Sequence, residues 1–318
     1  MMRTAHTNTS SLPSSSAFSV DLLKNAKHHI FFLQQLQPLF IKRPSYKSLQ
    51  RYRDYWLPLL HYHNDTQLKL IPPPDIAWLW HCHRLAPFRY TSYLKATFGN
   101  DDDNYLEADP PFCFQQLDDE KIKVCIAGEM KDDDTTLLMV EQTRTLWNEL
   151  YPNESFFNND EGVVDIDAEQ EDIKSLLLGG FDLLCSTDRQ ATFLWQVSGP
   201  KFACDDFLGD GIVNYYKFLK LQRASKKKKG MILVPTYQID LMWHTHILSS
   251  ITNYNADCKA IIGATMNHDD SFNDRTEDGP LDRAFQETKA LWKETYDGEE
   301  YTVPGGMYRG EPPPGKSA

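Results

Sequence analysis

The sequence repeats itself, and this is the feature that most limits how the chain can fold. The segment VDLLKNAKHHIFFLQQL from Val20 aligns without a gap with FDLLCSTDRQATFLWQV from Phe181, so that Asp182 stands for Asp21. Further on, WHCHRL aligns with WHTHIL, and TRTLWNELY aligns with TKALWKETY. Because the three blocks keep their order, the sequence predicts two homologous halves of one duplicated unit.

The spacing of the blocks also predicts where the repeats begin and end. The offset from His81 to His244 is larger than the offset from Trp147 to Trp292, so the first copy carries extra residues, which we place after Glu107. The predicted organisation is a disordered tail (1–19), a first helical repeat (20–158), an acidic linker and helix start (159–180), a second helical repeat (181–310) and a disordered tail (311–318).

Apolar residues recur at helical spacing in both copies. After Ile239 they fall three or four residues apart, at Trp243, Ile247, Ile251, Tyr254, Cys258 and Ile262, and Gly263 then ends the pattern. The spacing predicts one continuous helix here, and Pro87 predicts a bend in its counterpart in the first copy. The predicted fold class is mainly α, with two homologous helical repeats packed about a pseudo-twofold axis and little or no sheet.

Charge and cysteine content narrow the class of partner. A net charge of −12 without a basic stripe disfavours nucleic acid and anionic membranes, so a protein partner is expected, and no run is long enough to span a bilayer. The six cysteines form no C-x-x-C pair and indicate a reducing, cytoplasmic compartment. The run Lys226–Lys229 is typical of a solvated loop, and a nuclear address is the alternative.

The two His-x-His pairs are the main functional candidates. Residues i and i+2 of a helix lie about 200° apart around its axis, so one cation cannot bind both histidines of a pair. Asp240 and His244, at i and i+4, can touch. The candidate metal or ligand residues are His81, His83, His244, His246, Asp75, Asp240, His268 and Asp269.

Three interpretations of these histidines stay open. They can be core residues hydrogen-bonded within an aromatic interior, ligands of a metal or small molecule, or general acids and bases. No catalytic motif is present, so no catalytic residue and no required cofactor is predicted, and a divalent metal is the alternative. The expected core residues of the repeated motif are Trp80, Trp243, Trp147, Trp292, Pro72 and Pro235.

Six ordered blocks resemble those of a known family. They are PPPDIAWLWHCHRLAPFRY, LWNELYPNESF, DLLCSTDRQATFLWQVS, VPTYQIDLMWHTHILS, NHDDSFNDR and GGMYRG. The chain is similar to the glycine-rich domain-containing protein family, a plant and fungal group defined by a domain of unknown function. The resemblance implies a link to development and stress responses, and it supplies no catalytic residues. Longer members carry a glycine-rich tail with a proposed RNA-binding segment, and that role is not transferred here.

Two functional hypotheses follow. The first is an intracellular interaction or regulatory module of unknown biochemical activity. The alternative is a metal-dependent hydrolase that uses the His-x-His pairs of both repeats.

Overall fold

Helices dominate the computed structural model, which describes residues 17–40, 43–63, 68–99, 106–108, 111–116, 123–126, 134–157, 177–225, 230–272 and 276–306. In the described part of the first repeat the helices are α1 (Leu22–Phe40), α2 (Tyr46–Arg51), α3 (Leu57–His63), α4 (Pro74–Arg84), α5 (Pro87–Phe98) and α6 (Asp134–Leu150). The second repeat contains α7 (Leu183–Val197), α8 (Asp205–Ser225), α9 (Tyr237–Ser249), α10 (Ile251–Ile262) and α11 (Pro280–Thr295).

One small hairpin interrupts the helices. Strands β1 (Cys113–Gln116) and β2 (Lys123–Ile126) pair antiparallel, with Cys113 opposite Ile126. The hairpin lies in the stretch after Glu107, where the sequence alignment places the extra residues of the first repeat. The predicted mainly α fold with little sheet is confirmed. None of the described helices is both long and apolar enough to cross a bilayer.

The same tertiary hydrogen bonds occur in both repeats, which confirms the duplication. The Tyr52 hydroxyl lies 2.9 Å from Nδ1 of His83, and the Tyr215 hydroxyl lies 3.1 Å from Nδ1 of His246. Three other bonds recur in matched pairs. The Trp80 indole donates to Tyr90 as the Trp243 indole donates to Tyr254, and the two tyrosines donate to the carbonyls of Leu106 and Met266. The amides of Ile71 and Val234 donate to the hydroxyls of Thr143 and Thr288. These bonds fix how the first histidine-bearing helix, α4, and its counterpart α9 sit in their own repeats.

The first helix of each repeat packs against the histidine-bearing helix of the other repeat. From α1, His29 bonds through Nδ1 to the Thr245 hydroxyl of α9 at 2.9 Å, and Asn25 donates to the Ser249 hydroxyl at 2.8 Å. In the reciprocal contact α7 packs on α4, and Phe181, just before α7, stacks on His83 with ring centroids 5.7 Å apart. The two repeats therefore share one core about a pseudo-twofold axis.

A π-helical turn absorbs a one-residue difference between the repeats. Tyr52 and Tyr215 occupy equivalent places, because each bonds to the second histidine of its repeat. Trp56 and Phe218 are also equivalent, because each packs on the tryptophan of its repeat. The interval from Tyr52 to Trp56 is nevertheless longer than the interval from Tyr215 to Phe218. The first repeat thus has a single extra residue in this interval, and residues Tyr52–Trp56 form a π-helix where α8 continues without interruption.

The prediction of one continuous helix from Ile239 to Gly263 is wrong. The helix is interrupted at Ser250, whose backbone is extended. The Ser250 hydroxyl accepts a hydrogen bond from the Asn253 amide and so caps α10. The apolar spacing continues across the break because α9 and α10 both bury a face. Gly263 ends α10 in the left-handed conformation with φ 78°, as predicted, and Gly99 ends α5 in the same way.

The predicted domain boundaries are only partly within the described residues. Residues 1–16 of the predicted first tail, 158–176 of the linker region and 307–318 at the end lie outside them, as does the Lys226–Lys229 run. In the described end of the linker, Leu178 and Phe181 form an isolated antiparallel bridge just before α7.

Candidate metal centre

Helix α9 positions two of the three side chains of the candidate centre. It begins after Thr236, whose hydroxyl accepts a bond from the Ile239 amide at 3.3 Å. Asp240 and His244 lie one turn apart on this helix, as the sequence predicts. Residues 237–239 and 241–248 are buried, so the helix is enclosed on all sides, and only Asp240 and the last residue, Ser249, are partly exposed.

The third side chain comes from the loop that follows α10. Nε2 of His268 lies 2.9 Å from Nε2 of His244 and 3.8 Å from Oδ1 of Asp240. Oδ1 of Asp240 lies 3.4 Å from Nε2 of His244. Bond lengths of about 2.0–2.1 Å to zinc place the ligands of a tetrahedral site roughly 3.3 Å apart, and the three measured separations bracket that value. We call Asp240, His244 and His268 the triad.

Hydrogen bonds outside the triad hold the loop in place. Nδ1 of His268 bonds to the Leu85 carbonyl at the end of α4, at 2.9 Å, which orients the ring and directs Nε2 toward the triad. Asp270, two residues later, accepts bonds from α7 through the side chains of Ser186, Arg189 and Gln190. The loop of the second repeat is thus fastened to the first repeat and to α7.

The pKa values in the triad reflect strong coupling. Burial acts to raise the pKa of Asp240, but the imidazoles of His244 and His268 lower it well below its usual range. Burial acts to lower the pKa of His268, but the Asp240 carboxylate raises it above the ordinary value. For His244 burial is the largest effect and its pKa is lowered. Without a cation, the Asp240 carboxylate and the His268 imidazole therefore stabilise each other's charged forms.

Oδ1 of Asp240 is buried and forms no close hydrogen bond among the described residues, since the Nε2 atoms of His244 and His268 lie 3.4 and 3.8 Å away. A buried carboxylate oxygen with contacts this long is poorly compensated, and a cation between the three atoms would complete its interactions. One carboxylate and two imidazoles are a common ligand set for zinc and other divalent transition metals, and three protein ligands leave a coordination position open. The triad residues therefore fit a divalent cation.

The second histidine of each pair faces away from the triad, as helical geometry requires. His246 lies between Tyr215 and Asp257, with Nε2 3.1 Å from a carboxylate oxygen of Asp257. His83 bonds to Tyr52, and its other nitrogen has no partner among the described residues. Each histidine at this position is a buried hydrogen-bonded core residue.

The remaining predicted ligands lie elsewhere. Asp75 pairs with buried Arg51, at 3.2 Å, in the first turn of α4. Asp269 accepts a bond from the Ser271 amide at 2.9 Å. His81 stacks on Phe32 and is buried, but it belongs to no group of metal-ligating side chains among the described residues. Of the eight predicted residues, the structure brings together Asp240, His244 and His268.

The first repeat lacks two of the three triad side chains. His81 occupies the place of His244, and Ala77 that of Asp240. Leu106 and Met266 are equivalent, because the carbonyl of each accepts a hydrogen bond from the matching tyrosine of its repeat. Ala108 follows Leu106 as His268 follows Met266, so Ala108 occupies the place of His268. The candidate centre is therefore a property of the second repeat.

The predicted motif core lies inside the molecule. Trp147, Trp292, Trp80 and Trp243 are all buried, Pro72 is buried and Pro235 is partly exposed. The indole of Trp147 packs against the Arg51 guanidinium, 5.2 Å from the ring centroid. These residues form the frame around the histidine-bearing helices.

Sequence reasoning missed three buried polar residues that lie around the paired histidines. They are His29 on α1, Arg84 at the end of α4 and Asp257 on α10. His29 and Asp257 have no local pattern that separates them from ordinary helix residues. Arg84 had a detectable signal, because it stands where the second repeat has Ile247, so a charge replaces an apolar residue on a helix expected to be enclosed.

The fold and the candidate centre define a duplicated, mainly helical domain with a histidine-rich core. The model of the family described as "Glycine-rich domain-containing protein-like" matches residues 2–92 and 115–252. The chain belongs to this family, as the resemblance of its sequence blocks indicates.

Two curated relatives from Arabidopsis thaliana support the assignment. "Glycine-rich domain-containing protein 2" is 34% identical over 304 residues, and "Glycine-rich domain-containing protein 1" is 33% identical over 306 residues. Each alignment covers 93% of this chain but only 35% and 34% of the respective relative, so the chain spans about a third of the length of these proteins. No solved structure matches the chain.

Proposed function

We propose that the chain is a metal-binding interaction or regulatory module, in which the triad of the second repeat binds one divalent transition cation, with zinc as the expected occupant. The observation that carries the proposal is the convergence of Oδ1 of Asp240 with Nε2 of His244 and of His268, with separations of 2.9 to 3.8 Å. As the family resemblance implies, the module would act through protein partners and be linked to development or stress responses.

A reducing cellular compartment is part of this proposal. Cys82, Cys185, Cys204 and Cys258 are free thiols, and Cys204 is exposed. Exposed free thiols are typical of proteins kept in reducing surroundings. They support a cytoplasmic location.

The geometry favours a binding module over the hydrolase that draws on both repeats. That hydrolase needs His81 or His83 beside the histidines of α9. His83 is bonded to Tyr52. His81 lies near His244 but joins no metal-ligating group among the described residues, and the triad takes all three of its side chains from the second repeat. A hydrolytic role would therefore have to use the second repeat alone, through the open coordination position.

The proposal is tested by metal analysis of the full chain purified without added chelator. We expect about one zinc per chain, and we expect Co²⁺ substitution to give visible absorption bands of a low-coordinate site. Asp240→Asn, His244→Ala and His268→Gln should each lose the metal. His246→Gln is the matched control, because His246 is on the same helix, equally buried, and outside the triad.

The result that would overturn the proposal is equally direct. If the folded wild-type chain neither retains nor takes up Zn²⁺ or Co²⁺, the triad is only a hydrogen-bonded core cluster. The same conclusion follows if the metal content of folded His244→Ala equals that of the wild type. Circular dichroism establishes that each variant is folded.

A further inference from the structure

A second polar cluster lies where the two repeats meet. It consists of His29 on α1, His81 and Arg84 on α4, and His244 on α9, and we call it the seam cluster. All four side chains are buried, and Arg84, the most accessible of them, is 4% exposed. Three helices from both repeats therefore contribute cationic or neutral nitrogen groups to one enclosed place. The Asp240 carboxylate lies on the Nε2 side of His244, within the triad.

The four groups are close enough to influence one another. The rings of His29 and His81 have centroids 5.1 Å apart. Burial lowers the pKa of His29 well below its ordinary value, and the nearby charges of His244 and Arg84 lower it further. Burial also lowers the pKa of His81, and the nearby charges of His29, Arg84 and His244 lower it further. Both imidazoles are therefore neutral, and Arg84 carries the charge.

The seam cluster holds donors that have no acceptors. Five of its nitrogens have no hydrogen-bond partner in the described part of the chain: Nε2 of His29, Nδ1 and Nε2 of His81, Nε of Arg84 and Nδ1 of His244. A neutral imidazole always carries one N–H, so His81 has an unpaired donor in either tautomer. Nε of Arg84 is a second unpaired donor, because arginine stays protonated.

His244 adds a donor when the triad binds its cation. Metal binding through Nε2 places the proton of the ring on Nδ1, and a metal-bound histidine normally donates that proton to an acceptor. His268 does so to the Leu85 carbonyl, but Nδ1 of His244 has no acceptor among the described residues. This part of the argument rests on the proposed function, whereas the arguments from Arg84 and His81 do not.

Arg84 also lacks a partner of opposite charge. Its guanidinium donates to the Leu248 carbonyl at 3.1 Å and to the Pro111 carbonyl at 3.5 Å and lies over the Trp80 ring. Burial lowers its pKa, and the Glu107 carboxylate acts against this from a distance. Glu107 itself bonds to the Thr252 amide and hydroxyl and to the Ser250 hydroxyl.

Arg51 shows what a compensated buried arginine looks like in the same repeat. It pairs with Asp75 and Glu154 and donates to the carbonyls of Ser155 and Phe156. The Arg84 guanidinium forms no ion pair with any described carboxylate. Because an isolated buried charge is strongly disfavoured, Arg84 needs a counter-ion.

We propose that the seam cluster binds a small monovalent anion between the two repeats, either chloride or a short carboxylate such as formate, with Arg84 as its counter-charge. The anion accepts hydrogen bonds from Nε of Arg84 and from the N–H groups of His29 and His81. It also accepts from Nδ1 of His244 when a cation is bound. Because its donors come from α1, α4 and α9, the anion stabilises the contact between the repeats.

The test measures thermal unfolding of the full chain while chloride or formate replaces gluconate at constant ionic strength. Gluconate is the reference because it is too large for a site of this kind. We expect a saturable rise in Tm with chloride, with formate or with both, and the separate titrations identify which anion binds. Arg84→Met should abolish the rise. Arg144→Met, which removes a partly exposed arginine paired with Glu141, should leave it intact.

A second variant keeps the test decisive if Arg84→Met does not fold. Gln190 stands at the place of His29 in the second repeat, so His29→Gln is a substitution that the fold already contains. We expect His29→Gln to weaken the apparent anion affinity by about tenfold, which corresponds to one hydrogen bond to a charged group.

Two results would overturn the anion site. One is a Tm that does not respond to chloride or formate, or that responds without saturation. The other is an equal response in the wild type and in the folded variant. The titrations are run with EDTA and with Zn²⁺. If the Tm still responds to the anion in EDTA and no zinc binds, the anion site stands while the metal site at the triad fails.

Discussion

The two repeats share a framework of hydrogen bonds and differ in the polar groups placed on it. In both, a tyrosine holds the second histidine of the pair, and an indole donates to another tyrosine. The groups between these bonds have diverged. Asn214 aligns with Arg51, and Gln238 with Asp75, at the offset that relates the two His-x-His motifs. The second repeat therefore has a hydrogen bond between two amide side chains where the first repeat has an ion pair.

The histidines show the same divergence. His246 is paired with Asp257, whereas His83 has Tyr93 as its equivalent neighbour, with ring centroids 5.6 Å apart. Packing and framework bonds therefore define the duplicated fold, while each repeat carries its own set of charges. The ion pair belongs to the first repeat and the candidate metal centre to the second.

The largest expected difference between the repeats concerns the ion pair. Arg51→Met leaves Asp75, Glu154 and two carbonyls without their donor, and we expect it to lower the free energy of unfolding by about 3–5 kcal/mol. Asn214→Ala removes one neutral hydrogen bond at the equivalent place and should cost about 1 kcal/mol. Urea denaturation with unchanged m values measures both.

The double variant Arg51→Asn with Asp75→Gln imports the amide pair of the second repeat. It should be more stable than Arg51→Met, because the buried Asp75 carboxylate is no longer present without a partner. Equal losses for Arg51→Met and Asn214→Ala would mean that the buried ion pair contributes no more than the amide pair, which would contradict the comparison.

The next difference concerns the metal. If two alanines are what removed the centre from the first repeat, Ala77→Asp with Ala108→His should restore it around His81. We expect the metal content to rise from about one to about two per chain. A free metal concentration of about 100 times the Kd of the new site should stabilise the variant by about 2.7 kcal/mol.

The matched control for this gain is Ala77→Asn with Ala108→Gln, which introduces side chains of similar size without the ligand chemistry. Elemental analysis and unfolding with and without Zn²⁺ measure the outcome. A metal content that stays at one, with no extra stabilisation by zinc, would show that the local geometry of the repeats differs by more than these two residues.

Much of the fold was predictable because it is written in local patterns. The repeated blocks, the helical spacing, the Thr236 cap and the end of α10 at Gly263 are features of short segments. The break at Ser250 was not, because the apolar spacing is the same whether one bent surface or two separate helices are buried. The polar Ser249–Ser250 pair, which offers an N-cap, was the only local signal.

The candidate site was predictable only where its residues are neighbours in sequence. Asp240 and His244 are one helical turn apart, so their contact follows from helix geometry. His268 reaches them from a loop whose path is set by tertiary bonds to Leu85 and to α7. His29 meets α9 because the first helices of the repeats cross over, and that exchange leaves no mark in the local pattern of either helix.

The smallest expected difference is in the response to acid, and it tests the role of the carboxylate beside the second histidine. Burial lowers the pKa of His83 from 6.5 to about 3. Below about pH 6.5 the unfolded chain binds a proton that folded His83 does not, so stability is present above that pH and falls as the pH decreases toward 3. By pH 5, about 1.5 pH units below the unfolded value, His83 should account for a loss of about 2 kcal/mol.

His83→Gln should therefore lose less stability than the wild type between pH 7 and pH 5, with a difference of about 2 kcal/mol in urea denaturation. Tyr52→Phe is the control, because it removes the hydroxyl that bonds to His83 but keeps the buried imidazole, and it should retain the wild-type slope. His29 and His81, whose pKa values are also lowered, remain in every variant, so the difference isolates His83. An equally steep loss in His83→Gln would mean that His83 takes up its proton as readily in the folded protein as in the unfolded chain. The first repeat would then not need the carboxylate that Asp257 supplies to the second.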